Sequence, residues 1–272
     1  MKLVSFNINS VRARIELLKN FLQKNNPDIV GLQEIKVQTV DFPKSEFADI
    51  NYDLVIHGQK SYHGVAVFSK IKPVKYQAGI DFEGDQARFI YTKYNTDQGA
   101  FHLINCYFPQ GENKAHPAKF PYKVKFYKGL LQWLEANFDS KKDNVAIMGD
   151  FNIAPQDCDI GIGEDNKKRW LRTGKCCFLP EEIELYQSLV DWGLSDPYRQ
   201  LNAESNKFFS WFDYRSRGFE DTPKRGLRID YVLCTAGLQK KCTSASIDYE
   251  SRGQIKPSDH APVIYEFDLT IK

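Results

Sequence analysis

The sequence predicts an α/β fold, a mixed sheet or two packed sheets with helices outside. Three observations lead there. Many short apolar runs end at Asn, Gln, Glu or Asp. A few longer stretches repeat apolar residues at helical spacing. The 272 residues contain no low-complexity linker, repeat or composition break, so 1–272 is read as one domain.

The elements follow in order. Lys2-Leu3-Val4-Ser5-Phe6-Asn7 alternates and reads as a strand. Residues 14–25 carry Ile15, Leu18, Phe21 and Leu22 on one helical stripe, and Pro27-Asp28 breaks it. Ile29-Val30-Gly31-Leu32 is a short buried-type strand that runs into Gln33-Glu34. Strands are expected at 52–57, 63–69, 87–94 and 101–107, and a helix at 120–138. Residues 144–149 form a strand that delivers Asp150. A long polar, glycine-containing stretch, assigned no element, covers about 155 to 178. Pro180 suits the first turn of a helix reaching about Trp192. Strands return at 229–234, 243–249 and 262–269.

Composition narrows the class. Hydrophobic residues make up 42% and charged residues 26%, enough for a sizeable core and a soluble surface. The net charge of +2 neither demands nor excludes nucleic acid, because clustering decides that. The six cysteines form no Cys-x-x-Cys pair and no zinc spacing, and Cys176-Cys177 is poor disulfide geometry. Reduced thiols in a reducing compartment follow. No apolar run nears the roughly 18–20 residues of a membrane span, and asparagines interrupt the opening MKLVSFNINS. A cytoplasmic protein with no membrane contact is expected.

Chemistry-bearing residues recur at strand ends: Asn7 and Asn9, Glu34, Tyr107, Asp150 and Asn152, Asp230, then Ser258-Asp259-His260. Such ends are where α/β folds place sites on a rigid sheet edge. Phosphodiester hydrolysis needs this set. A hard cation held by carboxylate and amide oxygens neutralises the phosphate. Glu34 is the natural principal ligand, and Asp150 can orient or deprotonate water. Asn152 can donate to a phosphate oxygen, and Tyr107 can assist the phosphate or leaving group. His260 can meet the growing charge, with Asp230 fixing its tautomer. Each residue alone also has an ordinary explanation as a turn, cap or structural group. His57, His63, His102 and His116 read as surface or structural.

Two segments bear on substrate. Lys167 to Lys175 holds five basic residues and Trp170 in nine positions. Phe208 to Phe219 interleaves aromatics with Arg215 and Arg217. Phosphates want Lys and Arg, while unstacked bases and sugars want flat apolar faces. A solvated basic loop and an aromatic core strand are the plainer readings. No Walker A sequence or Ser nucleophile elbow is present, and Gly161-Ile162-Gly163 lacks the preceding strand of a dinucleotide loop.

Taken together, six motifs resemble the exodeoxyribonuclease III family of the endonuclease/exonuclease/phosphatase superfamily. They are Ser5-Phe6-Asn7-Ile8-Asn9, Gly31-Leu32-Gln33-Glu34-Ile35-Lys36, Asn105-Cys106-Tyr107-Phe108-Pro109-Gln110-Gly111, Met148-Gly149-Asp150-Phe151-Asn152-Ile153, Arg225-Gly226-Leu227-Arg228-Ile229-Asp230 and Lys256-Pro257-Ser258-Asp259-His260-Ala261-Pro262. They span nearly the whole chain in the family's order.

The resemblance implies a DNase I-like four-layer α/β (α+β) sandwich, two packed mixed β-sheets flanked by helices. It implies Mg²⁺, with Mn²⁺ as a substitute, held by Glu34 with Asn7, Asp150, Asn152 and Asp259. Asp150 would activate water, Tyr107 and Asn152 would stabilise the transition state, and His260 with Asp230 would contact the scissile phosphate. Whether His260 is instead the base stays open.

Trp211, Leu227 and Ile229 would line a pocket for a sugar without its base. Phe212 and Arg215 would lie near the DNA groove. Arg88, Gln110 and Lys119 would bind phosphates, and Arg172 belongs to the same DNA-binding set. The implied activity is DNA repair by a monomer: cleavage of duplex DNA at abasic sites and removal of blocked or recessed 3′ ends, leaving a 3′-hydroxyl. Cys177 stands where a small residue is expected for internal cleavage, so 3′-end trimming alone is the alternative. A relative cutting another phosphoester, and an inactive DNA-binding protein, are the further alternatives.

Overall fold

In a computed structural model, which describes residues 1–203 and 207–272, alternation of side chains across strands builds two stacked six-stranded sheets. The first contains β1 (Lys2–Asn7), β2 (Ile29–Gln33), β3 (Asp53–His57) and β4 (Val65–Ser69). The second contains β5 (Lys75–Ala78), β6 (Phe89–Thr96), β7 (Gly99–Tyr107), β8 (Asn144–Asp150), β9 (Leu194–Ser195) and β10 (Asp230–Thr235). β11 (Cys242–Ile247) and β12 (Val263–Phe267) return to the first sheet. Strand orders are β11-β12-β1-β2-β4-β3 and β5-β6-β7-β8-β10-β9.

Each central strand is buried on both faces, which is why it reads as a nearly continuous apolar run. Leu3, Val65, Val67, Leu103, Met148 and Val232 face one another between the sheets. On the outer side of the first sheet, Val4, Phe6 and Leu32 meet Leu18, Phe21 and Leu22 of α1 (Ile15–Asn25). Outside the second sheet, Ile104, Ile147 and Leu233 meet α2 (Lys119–Asn137) and α4 (Pro180–Trp192). The expected four layers are therefore present.

Three expectations need correction. The stretch 155–178 contains a helix, α3 (Glu164–Thr173), bounded by Gly163 and Gly174 at φ 87° and 71°. Trp170 is its one buried residue, so no apolar stripe announces it. β5 was not anticipated because its four residues are all exposed and do not alternate. The short β9, α5 (Pro197–Leu201), α6 (Ala236–Gln239) and α7 (Tyr249–Arg252) lie below the length at which a period shows.

Buried amides join the two sheets near the strand ends that carry the polar residues. Gln33 donates to Asn105 Oδ1 at 2.6 Å, and Asn105 donates to the carbonyls of Leu32 and Ala66 at 3.1 and 3.0 Å. This buried amide pair stitches β2 and β4 to β7. Gly31 permits the approach: a Cβ there would stand 2.2 Å from the Met148 methyl and 2.8 Å from Asn105 Oδ1. Gly31→Ala should destabilise the protein by about 1–3 kcal/mol through overpacking, read by urea unfolding. An unchanged midpoint would show that the sheets part without cost.

Candidate active site

The site grows from strand ends that meet at one edge of both sheets. In the first sheet Asn7 ends β1, its register partner Gln33 ends β2, and Glu34 follows. In the second, β7 and β8 run parallel with Tyr107 opposite Asp150, and Asp150 pairs with Asp230 of antiparallel β10. His260 stands three residues before β12, on a segment bridged to Trp211. Glu34 and Asn152 turn their backbones into the left-handed region, at φ 51° and 52°. That conformation costs energy for a non-glycine residue and persists only where surrounding bonds hold it.

Glu34, Asp150 and His260 offer ligand atoms that all lie within 4.8 Å of one another. Two carboxylate oxygens and an imidazole nitrogen at that spacing suit a divalent cation. Asn7 is placed differently from its expected role as a ligand. Its Nδ2 donates to Glu34 Oε1 at 2.9 Å and Asp150 Oδ2 at 3.0 Å, while its Oδ1 takes the Asn9 amide. It spaces the two carboxylates and turns its oxygen away from them.

Asp259 also stands outside the cluster, accepting from Asn9 Nδ2 at 2.8 Å and Trp211 Nε1 at 3.1 Å. Lys36 lies 2.8 Å from Glu34 Oε2 and 2.6 Å from Asn9 Oδ1. The residues named by sequence thus divide into a cation-suited trio and a surrounding frame.

The imidazole sits between two acids. Nδ1 is 2.8 Å from Asp230 Oδ2, and Nε2 is 3.7 Å from Asp150 Oδ2. Burial opposes the cation, but Asp230 and Asp150 outweigh it and raise the His260 pKa. Burial raises the pKa of Asp150 as well; His260 opposes the rise, while Asp230 and Glu34 add to it. Glu34 goes the other way, because Lys36 and Asn7 overcome the cost of its burial. The two carboxylates therefore differ in their surroundings, Glu34 beside the Lys36 ammonium and Asp150 beside two further acids and the imidazole.

One cavity of about 260 Å³ collects Glu34, Tyr107, Gln110, Asp150, Asn152, Trp211, Ile229, Asp259 and His260. Trp170, Lys175 and Cys177 complete its wall. Lys175 Nζ lies 3.7 Å over the Trp170 ring, which stacks parallel to the Phe178 ring at 5.6 Å. The Cys177 thiol stands 3.9 Å from Gln110 Nε2 and 4.0 Å from Asn152 Oδ1. Trp170 and Lys175 were visible only as parts of a basic segment, since nothing in that pattern points them at Glu34.

Other expected residues lie elsewhere. Phe212 is fully buried against Phe209, Phe219 and Tyr249, so it supports the Trp211 loop from below and does not face a groove. Leu227 is also fully buried and bridges Trp211 from behind, leaving Ile229 to line the cavity. Arg88 is buried, with its guanidinium 4.6 Å over the Tyr107 ring and donating to the Tyr107 carbonyl at 2.9 Å. It braces Tyr107 and is not open to a phosphate. Lys119 is exposed and paired with Glu112, and Arg172 and Arg215 are exposed.

The loop that carries Ile229 and Asp230 is anchored by a buried ionic group. Arg228 Nε donates to Asp159 Oδ1 at 2.7 Å, and Arg199 pairs with the same carboxylate. Arg228 Nη1 lies 2.8 Å from Asp196 Oδ2. Ser210 accepts from the amides of Ile229 and Asp230, each at 3.0 Å.

A metal-suited cleft of carboxylates, amides and imidazole on two stacked sheets defines a phosphoester hydrolase. The chain belongs to the endonuclease/exonuclease/phosphatase family, whose sequence model matches residues 4–260. It is 50% identical to exodeoxyribonuclease III of Haemophilus influenzae over 269 residues, 98% of this chain and 100% of that one. An AP endonuclease structure from Archaeoglobus fulgidus superposes with a TM-score of 0.89 at 30% identity, covering 98% of this chain and 99% of that one. A Neisseria 3′ phosphatase bound to a product DNA hairpin superposes at 0.88 with 33% identity and the same coverage, 98% and 99%.

His63 is a rim residue that sequence treated as background. Its Nδ1 lies 3.0 Å from Arg88 Nη2, and its ring leans on Tyr107 at 5.9 Å. Burial and the Arg88 guanidinium lower its pKa from 6.5 to about 4. The unfolded chain therefore takes up this proton first. Stability from this group is complete above pH 6.5 and falls as pH drops toward about 4. NMR titration should find the folded His63 midpoint near 4. In urea unfolding, His63→Gln should remove part of the loss between pH 7 and 5. A midpoint near that of free imidazole would refute the assignment.

Proposed function

We propose that this chain is a Mg²⁺-dependent DNA repair nuclease, with Mn²⁺ as a substitute. It hydrolyses duplex DNA at abasic sites and clears blocked or recessed 3′ ends, leaving a 3′-hydroxyl. The observation that carries the reading is the meeting of Glu34, Asp150 and His260 within 4.8 Å, in a cavity whose walls include Trp170 and Trp211. A small polar headgroup has no use for two indole walls, whereas a sugar stripped of its base does. The names of the relatives above support the same substrate.

A divalent cation held by the Glu34 and Asp150 carboxylates would neutralise the phosphate and polarise its oxygen. The protein's own groups supply the rest. Asp150 takes a proton from water as the water oxygen bonds to phosphorus. The P–O3′ bond then breaks, and O3′ takes a proton from solvent to leave as the new hydroxyl. His260, held charged by Asp230, donates to a phosphate oxygen as charge builds there. Tyr107, whose pKa burial and Glu34 raise, keeps its proton and donates it as a hydrogen bond. Gln110, Asn152, Ile229 and Asp259 shape the cavity around these groups.

The whole chain is read as one domain, acting as a cytoplasmic monomer. All six cysteines are free, as a reducing compartment permits. No helix among the described residues is long and apolar enough to cross a membrane.

Duplexes carrying a nick, a 3′-phosphate or an internal abasic analogue test the reading, each with Mg²⁺, Mn²⁺ or chelator. All three should be cut with metal and none with chelator. Asp150→Asn should lower kcat by roughly 10²–10⁴ while duplex binding persists. Unchanged cleavage by both Asp150→Asn and Glu34→Ala would remove the site assignment. Cys177 beside Gln110 makes the abasic duplex informative: trimmed 3′ ends with the internal site intact would restrict the enzyme to ends.

A further inference from the structure

The catalytic loop rests on a row of side chains beneath it. Asn152 is held in a left-handed backbone conformation, at φ 52°. Three of its polar groups are occupied. Its amide donates to Asp150 Oδ1 at 2.9 Å, and its Nδ2 donates to the Phe108 carbonyl at 3.0 Å. Its carbonyl accepts from Lys123 Nζ at 2.9 Å.

Lys123 is completely buried, as is Glu182 of α4, with which it is paired. An ammonium has three protons to place. Here they have three acceptors: Glu182, the Asn152 carbonyl, and the Gln110 carbonyl at 3.3 Å. The other Glu182 oxygen takes the Leu179 amide at 2.9 Å. Gly111 closes over the stem, since a Cβ there would lie 3.0 Å from Lys123 Cδ.

The neighbouring carbonyl is held in the same manner. Tyr127, one turn along α2 from Lys123, donates to the Phe151 carbonyl at 2.6 Å. The single Tyr231 hydroxyl proton lies between two carbonyls, that of Arg228 at 2.5 Å and that of Ile153 at 3.0 Å. Two successive carbonyls, 151 and 152, thus hang on side chains of α2. A fully buried lysine is rare, and burying an ion pair seldom adds net stability over an apolar pair. Fold stability therefore does not account for a charge placed here. Its bonds instead join two cavity-lining residues, Asn152 and Gln110, at a fixed separation.

We propose that Lys123 is a positioning residue for the hydrolytic reaction: its ammonium sets the Asn152 turn, and with it the Asp150 carboxylate, against the Gln110 loop. Catalytic groups must be held to within a fraction of an ångström, so a loosened turn costs turnover more than substrate binding. This inference rests on the nuclease reading above.

The test uses the full-length protein with Mg²⁺ and a 3′-phosphate hairpin duplex. Failure of the unaltered enzyme to act on the hairpin would count against the nuclease reading, whereas the inference is read from variant-to-parent ratios. Lys123→Met with Glu182→Leu replaces the ion pair by apolar side chains of similar volume and leaves the carbonyls without their donor. It should melt within about 5 °C of the parent. Its kcat should fall about tenfold or more, with KM changed less than about threefold. A folded double variant with parental kcat would overturn the proposal.

Tyr127→Phe gives an independent reading, since it removes one hydroxyl and no bulk. It should lower kcat about threefold to tenfold at nearly constant KM. Should the double variant not fold, a Tyr127→Phe enzyme with unchanged kcat overturns the proposal by itself.

Discussion

Three carboxylates, Glu34, Asp150 and Asp230, crowd around one imidazole at the joint edge of two sheets, and like charges so close must be compensated. Much of the surrounding structure answers that demand. Lys36 approaches Glu34, Asn7 donates to both Glu34 and Asp150, and His260 stands between Asp150 and Asp230. The compensation is uneven. Glu34 is held charged, while Asp150 is pushed toward accepting a proton. The opposite shifts of two carboxylates follow from their neighbours, not from their residue type.

Behind this charged edge lies a framework that is polar yet buried. Ser258 donates to the Asn7 carbonyl at 2.7 Å and accepts from the His260 amide at 3.2 Å, fixing the imidazole's loop to β1. Arg228, Arg199, Asp159 and Asp196 do the same for the loop leading into Asp230. Buried ionic groups of this kind add little to net stability, but removing one partner strands the other. They specify where loops sit, which is what strained residues such as Glu34 and Asn152 require.

Much of this was legible in the sequence, and the exceptions have physical reasons. β1, β2, β7 and β8 are buried on both faces, so their apolar runs and polar ends are plain. Asp150 and His260 could be named from chemistry because few side chains suit phosphate hydrolysis. That they meet could not be read, since Asp150 and His260 share no local period. α3 was hidden because a single Trp anchors it. Phe212 was misplaced because an aromatic beside Trp211 looks the same whether it faces solvent or core. Lys123 gave no signal: a lysine on an amphipathic helix reads as solvated until its acceptors are seen.

The pairing of β1 with β12 also bears on the order of events during synthesis. Ser5 sits opposite Val263, so the strand bearing Asn7 lacks one neighbour until a segment over 250 residues later has been made. Contacts this distant in sequence form late and close large loops. His260 arrives with that same segment. A nascent chain on the ribosome therefore carries most of its hydrophobic interior before it owns a working centre. The hydrolytic capacity of the molecule is withheld until nearly the last strand is translated.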